Sequence, residues 1–320
     1  MTFFFKKKKL LSPSIPNPKL KQFSKRPNYE TYYGFSRDPF DPQPDPRLFF
    51  LTENVSEVWN LILSGITQGE RFLLLTGKRG TGKTTLISLI YLYLTTNSRK
   101  VKVIPLFDPS QKIEEIAQEL LQGLGLAPKD EGESSMFSRL QWDLIQRSAR
   151  GEAVVLIIDE AQNLRKETLE EIRFLAKPKS IIPNLVQEIF VADPQFEKDL
   201  WSEAPSLLSQ RNAVPCRLRP FTLGESQAYI EHRLNKAGST TYGVFTPRAV
   251  SLIIQASGGN PGTLNRICQE ALLVGYSHLK KRLDPADVRE ALANLEREKE
   301  RDWHPFRKTL PWIKRSLGKS

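Results

Sequence analysis

The sequence predicts an α/β fold: a parallel sheet layered between helices and followed by a smaller all-helical region. Three observations predict it. Gly77-Lys78-Arg79-Gly80-Thr81-Gly82-Lys83-Thr84 fulfils the phosphate-binding pattern G-x-x-x-x-G-K-[ST], with an apolar run before it and a helical pattern after it. A second apolar run, Ala153-Val154-Val155-Leu156-Ile157-Ile158, ends in Asp159-Glu160. Such a run suits a central strand buried on both faces, and its C-terminal end is where open α/β sheets bind ligands. Beyond Pro220 only helical patterns remain.

Taken in order, the chain opens on a Lys-, Pro- and Ser-rich segment to about Pro27, expected to be disordered or extended. A leader follows in which aromatics alternate with prolines, from Tyr32-Tyr33-Gly34-Phe35 through Phe40 to Phe49-Phe50. It suits an extended path that plugs aromatics into grooves, because proline pre-orders the backbone and forbids helix. A helix is expected over Asn54–Ile66, with Val55, Val58, Trp59, Ile62 and Ile66 on one face as core. Strands are expected at Arg71–Thr76, Val101–Leu106, Ala153–Ile158, Val186–Val191 and Ala213–Leu218. Between them lie helices at Thr84–Tyr93, Ile113–Gly123, Met136–Arg150 and Lys166–Ala176, a polar loop over residues 127–135, and a helix ending at Arg211. Four more helices follow, Thr222–Ala237, Thr246–Ser257, Pro261–Leu279 and Pro285–Leu295, each opened by Thr, Pro or Asp.

Composition narrows the function classes. The 320 residues allow about two domains, and no apolar run approaches the roughly 20 residues of a membrane-spanning helix. The basic start lacks the apolar core and cleavage site of a secretory signal, so a cytoplasmic location is expected. Cys216 and Cys268 have no metal-type spacing, and His232, His278 and His304 are scattered. The net charge of +11 resides in the tails: residues 1–29 carry eight Lys/Arg and residues 303–320 five, with no acid in either, leaving 34 bases against 36 acids between them. Such tails can attract DNA, RNA, anionic lipid or an acidic protein face.

The chemistry follows from the two motifs together. Backbone N–H groups of Gly77 to Thr84 turn inward on phosphate, Lys83 reaches the β- and γ-phosphates, and the Thr84 hydroxyl suits Mg²⁺. The helix through Thr84 and Thr85 aims its N-terminal dipole at the anion. Asp159 is expected to hold Mg²⁺, and Glu160 to orient and deprotonate the water attacking the γ-phosphate.

The order of parts resembles an AAA+ ATPase, and more narrowly the ExeA/GspA family of bacterial general secretion. The carriers, over roughly residues 32–295, are Tyr33-Gly34-Phe35, Pro44-Asp45-Pro46-Arg47-Leu48-Phe49-Phe50, the loop from Thr76 to Thr85, Asp159-Glu160-Ala161-Gln162-Asn163-Leu164, Ser209-Gln210-Arg211, Phe245-Thr246-Pro247 and Ser257-Gly258-Gly259-Asn260-Pro261. The resemblance implies a P-loop NTPase three-layer sandwich with a small all-α lid, using ATP and Mg²⁺. Residues 1–30 would then be a basic tail, 31–218 the nucleotide-binding domain with its leader, 219–296 the lid and 297–320 a basic aromatic tail.

It further implies a homo-oligomer, ring or filament, in which Arg211 of a neighbour completes each site. Two positions depart from the family. Ala192-Asp193-Pro194 replaces the usual Gly-Gln-Pro, putting Asp193 at the phosphate-sensing position. Gly262 stands where the lid usually has Arg, with Arg266 one turn on as a substitute. Secretion members continue into a membrane span and a periplasmic part, neither of which occurs before Ser320. The expected partner is therefore a secretion or envelope protein, met in the cytoplasm or at the inner face of the membrane through the tail from Trp303 to Arg315. Two alternatives remain: a DNA-binding AAA+ regulator of transposition or repair, and a nucleotide-gated scaffold with negligible hydrolysis.

Overall fold

Five apolar runs become five parallel strands: β1 (Phe72–Thr76), β2 (Val101–Leu106), β3 (Ala153–Ile158), β4 (Gln187–Ala192) and β5 (Ala213–Arg217). Their order across the sheet is β2-β3-β4-β1-β5. The computed structural model describes residues 29–301 apart from 44, 107, 128–132, 166, 171, 173–185, 204–212 and 239–242. Residues 1–28 and 302–320, the bulk of both basic tails, together with the segment at 177–184 and the run Leu207–Arg211 lie outside the described residues, and of the helix expected over 166–176 only 167–170 and 172 are described.

Strand side chains alternate between the two faces, and each face carries its own core. Phe72, Leu74, Leu156, Ile158 and Phe190 pack on one side against α4 (Ile113–Gly123) and α5 (Glu133–Ala149). Leu73, Leu75, Val155, Ile157 and Ile189 pack on the other against α2 (Glu53–Gln68) and α3 (Lys83–Asn97). Three layers result, as the sequence predicts. The α2 stripe is core at Val55, Val58, Ile62 and Ile66, while Trp59 is half-buried. It lines an apolar groove of about 730 Å³ with Phe49, Leu89 and Tyr93, on the outer side of α2 and α3 and away from the phosphate loop.

Element boundaries shift where caps decide them. The Thr52 hydroxyl accepts from Val55 N–H at 3.2 Å, so α2 begins at Glu53. Buried Asn54 then donates to the Arg217 carbonyl at 3.1 Å and accepts from Arg219 N–H at 3.0 Å, tying α2 to the exit of β5. Helix α5 is already helical at Glu133, three residues ahead of the expected Met136.

After α6 (Pro194–Glu203) and β5 come α7 (Leu223–Lys236), α8 (Pro247–Ser257), α9 (Pro261–Ser277) and α10 (Pro285–Arg301), the last running past the expected Leu295. Thr222, Thr246 and Asn260 cap the first three through side-chain oxygens. The leader, placed by chain order with the sheet, gives its aromatics to this helical part apart from Phe49, which packs with the sheet's core. Tyr29, Tyr33 (both in α1, Tyr29–Tyr33), Phe35 and Phe40 share one core with Ile230, Phe245, Ile253, Leu264 and Leu272. The Tyr33 hydroxyl donates to the Lys280 carbonyl at 3.0 Å, and Arg233 donates to the carbonyls of Pro39 at 2.6 Å and Asp41 at 2.8 Å. No helix among the described residues is long and apolar enough to cross a membrane.

Candidate functional site

The strand order decides which residues can meet. Because β4 lies between β1 and β3, the loop leaving β1 and the acids ending β3 flank the end of β4. Thr76 pairs with Ala192 and Ile158 with Phe190, so Asp193 emerges between the two motifs.

Gly77 to Gly82 link β1 to α3, and Lys78, Arg79 and Gly80 are exposed at the tip. Thr81 braces the turn, its hydroxyl donating to the Lys78 carbonyl at 2.8 Å. Lys83 is buried in the first turn of α3 and donates to the Gly77 carbonyl at 2.8 Å. Burial pushes its ammonium below the ordinary value, against the opposing pull of Glu160, Asp159 and Asp193. Thr85, half-buried, shares the same turn.

The Thr84 hydroxyl donates to the Asp159 carboxylate at 2.9 Å, joining the first turn of α3 to the end of β3. Burial raises the Asp159 carboxyl, and the Thr84 hydroxyl and Glu160 N–H offset part of that rise. A hydroxyl and a carboxylate within hydrogen-bond reach are hard oxygen donors, and they fit a divalent cation of the Mg²⁺ kind.

Glu160 leaves the strand in the left-handed region, at φ 53° and ψ 42°. For a glutamate that backbone costs on the order of 1–3 kcal/mol, and it turns the chain abruptly into a short 3₁₀ turn over Ala161–Asn163. The exposed Glu160 carboxylate accepts from the side-chain amide of Gln162. The oxygen of that amide accepts from Asp193 N–H at 3.3 Å.

The sequence reads Asp193 as a charge facing phosphate; its first structural job is different. One carboxylate oxygen accepts from Gln195 N–H and Phe196 N–H, both at 3.0 Å, capping α6 with Pro194 as the first helical residue. Helix α6 presents Glu197 to Thr76, whose hydroxyl donates to it at 3.2 Å, and to Arg217, which donates through Nε at 3.2 Å. The strand that enters the phosphate loop is thereby fastened to its neighbours, a connection that sequence reasoning missed.

The helical part reaches the loop directly. The Asn260 side chain donates to the Arg79 carbonyl at 2.8 Å, and Gly262 N–H donates to the Gly80 carbonyl at 2.9 Å. A Cβ at Gly262 would stand 3.0 Å from Gly80 Cα, so the absence of a side chain there has a packing reason. Arg266 lies one turn along α9 and is exposed. Arg211 lies outside the described residues.

A phosphate loop after β1, two acids after β3 and an intervening β4 are the arrangement of the P-loop NTPase fold. Residues 66–200 match the family described as AAA domain. The chain is similar to general secretion pathway protein A of Aeromonas hydrophila, at 28% identity over 261 residues, covering 81% of this chain and 47% of that protein. It thus spans about half the length of that relative. Among solved structures, Drosophila ORC bound to DNA is similar in fold, with TM-score 0.62, 16% identity, and coverage of 89% of this chain and 70% of that one. The Aeropyrum pernix ORC1 protein in complex with DNA gives 0.58 at 19% identity over 81% and 69%.

Proposed function

We propose that this chain binds ATP with Mg²⁺ and hydrolyses it, working in an oligomer that assembles or remodels a partner of secretion or envelope type. The observation that carries this reading is the 2.9 Å hydrogen bond from Thr84 to Asp159, which brings loop and acid to one point beside buried Lys83.

In this reading the loop's N–H groups and Lys83 hold the phosphate oxygens, and Thr84 and Asp159 hold the cation. Bound Mg²⁺ supplies neutralising charge on the phosphates. Glu160, exposed to solvent, orients a water and takes its proton at a carboxylate oxygen as that water attacks the γ-phosphate. Asp193, at the sensing position, contributes charge beside Lys83, and Arg266 is the lid's cation. Arg211, ahead of β5, reaches from a neighbouring subunit to stabilise transition-state charge; the family resemblance at Ser209-Gln210-Arg211 supports this. The secretion role rests on the similarity to general secretion pathway protein A.

Glu160→Gln should retain ATP binding and lose turnover, measured by equilibrium binding and phosphate release. Unchanged hydrolysis would show that the base lies elsewhere. Arg211→Ala should be inactive alone and regain activity when mixed with Glu160→Gln subunits. Sedimentation with duplex DNA over a salt series tests the partner class: nucleotide-dependent, salt-sensitive binding would replace the secretion reading with a DNA-acting one.

A further inference from the structure

Gln162 makes two contacts whose directions are forced. A backbone N–H can only donate, so the amide end facing Asp193 N–H must be the oxygen. The NH₂ end is then the one turned to Glu160, where it meets a carboxylate that accepts. The side chain thus spans from the end of β4 to the exposed acid that follows β3.

The backbone explains why such a tether is useful. Glu160 sits in a left-handed conformation at a sharp turn, with an exposed carboxylate on a flexible stem. Its own strand ends at Ile158, and the turn that follows is closed by backbone bonds from Asn163 N–H to the Glu160 carbonyl at 2.9 Å and from Leu164 N–H to the Ala161 carbonyl at 3.0 Å. These fix the main chain and leave the carboxylate free to rotate. The Gln162 amide supplies the contact on the carboxylate itself, anchored at its other end to a backbone N–H beside the capped start of α6.

We infer that Gln162 is the positioning residue for Glu160, holding the carboxylate by one hydrogen bond and taking its own orientation from Asp193 N–H by the other. The inference rests on the proposed role of Glu160 as base. Gln162 touches neither nucleotide nor water in this account, so its loss should act on turnover and leave binding alone.

Two substitutions separate positioning from structural support. Gln162→Glu keeps an acceptor for Asp193 N–H and replaces the donor at Glu160 with a like charge; Gln162→Leu removes both contacts. With Mg·ATP as substrate, kcat should fall on the order of 10- to 100-fold in both, the range of one hydrogen bond to a charged group. The dissociation constant for a fluorescent ATP analogue should stay within about twofold of wild type, since no phosphate contact is lost. The melting temperature should be held better in Gln162→Glu, separating lost turnover from lost folding. Wild-type turnover in Gln162→Glu while Glu160→Gln is inactive would overturn the positioning role and leave the base intact. Activity in Glu160→Gln, or no turnover in the wild type, would overturn the base assignment and this inference with it.

Discussion

Replacing Gly262 with alanine tests the contact between lid and phosphate loop with one methyl group. The added Cβ would stand 3.0 Å from Gly80 Cα, 3.2 Å from the Gly80 carbonyl oxygen and 3.4 Å from Asn260 Oδ1. Carbon atoms rest at about 3.5–4.0 Å, so loop and helix must part by roughly 0.5 Å. Gly80 is backbone at φ 84° and has no side chain to rotate aside. Gly262 is the second residue of α9, outside the helix interior where alanine's propensity advantage over glycine applies in full, and overpacking costs about 1–3 kcal/mol. The net loss of stability is therefore about 1–3 kcal/mol, several degrees in Tm for a chain of this size.

Nucleotide affinity should respond more clearly. The strain is relieved when the loop slides away, and it returns when phosphate draws the loop back, so binding carries about 1–2 kcal/mol of it. That is about a 5- to 30-fold weaker Kd. Titration with a fluorescent ATP analogue beside a thermal melt reads both quantities. Wild-type affinity together with a raised Tm would show that the methyl meets open space, and the contact between α9 and the loop would have to be abandoned.

Three further outcomes are expected. Asp193→Ala should cost about 1 kcal/mol in thermal unfolding through loss of the α6 cap, with Asp193→Asn close to wild type; equal losses in both would place the role in charge rather than capping. Phe40→Ala, emptying a fully buried position between leader and helices, should cost about 3–5 kcal/mol by urea denaturation, and an unmoved midpoint would detach the leader from that core. Burial pushes the Cys216 thiol up to about 12, and Cys268 is raised likewise, so a thiol reagent at pH 8 should label the native protein slowly and both sites in guanidinium. The unfolded thiols ionise near pH 9 while the native ones stay protonated, so stability should fall from pH 9 towards 12, by about 1.4 kcal/mol per pH unit for each thiol. Fast native labelling would contradict the burial.

The strands and the phosphate loop were legible because their signals are local. A run buried on both faces needs no partner to be recognised, and the loop's glycines, lysine and threonine are consecutive. Strand order was not legible, since nothing local says that β4 inserts between β1 and β3. That insertion gives Gln162 its place, so the residue could be quoted in a motif without a function. Gly262 was readable only as a missing arginine, because its reason is Gly80, far away in sequence. Asp193 was read by its charge, yet Asp followed by Pro is also the local signature of a helix start, and that signal was present before Gln195 and Phe196.

The loop is held from two sides by bonds of unequal kind. On the sheet side, Thr76 is fastened through buried Glu197, a carboxylate also paired with Arg217, so parting them means disturbing a charge already removed from water. On the lid side the hold is two neutral hydrogen bonds, from Asn260 and Gly262 to loop carbonyls, each worth about 1 kcal/mol net. The covalent crossings are narrow. Arg219 N–H is held by Asn54 on the sheet side, while Phe221 N–H donates to the Gly259 carbonyl at 2.8 Å on the lid side, leaving Pro220 between them. The leader divides in the same way, Phe49 packing with the sheet's core and Phe50 with Phe221 and Tyr229. A force on the helical part therefore separates Gly80 from Gly262 before it moves Thr76, and the phosphate loop stays with the sheet.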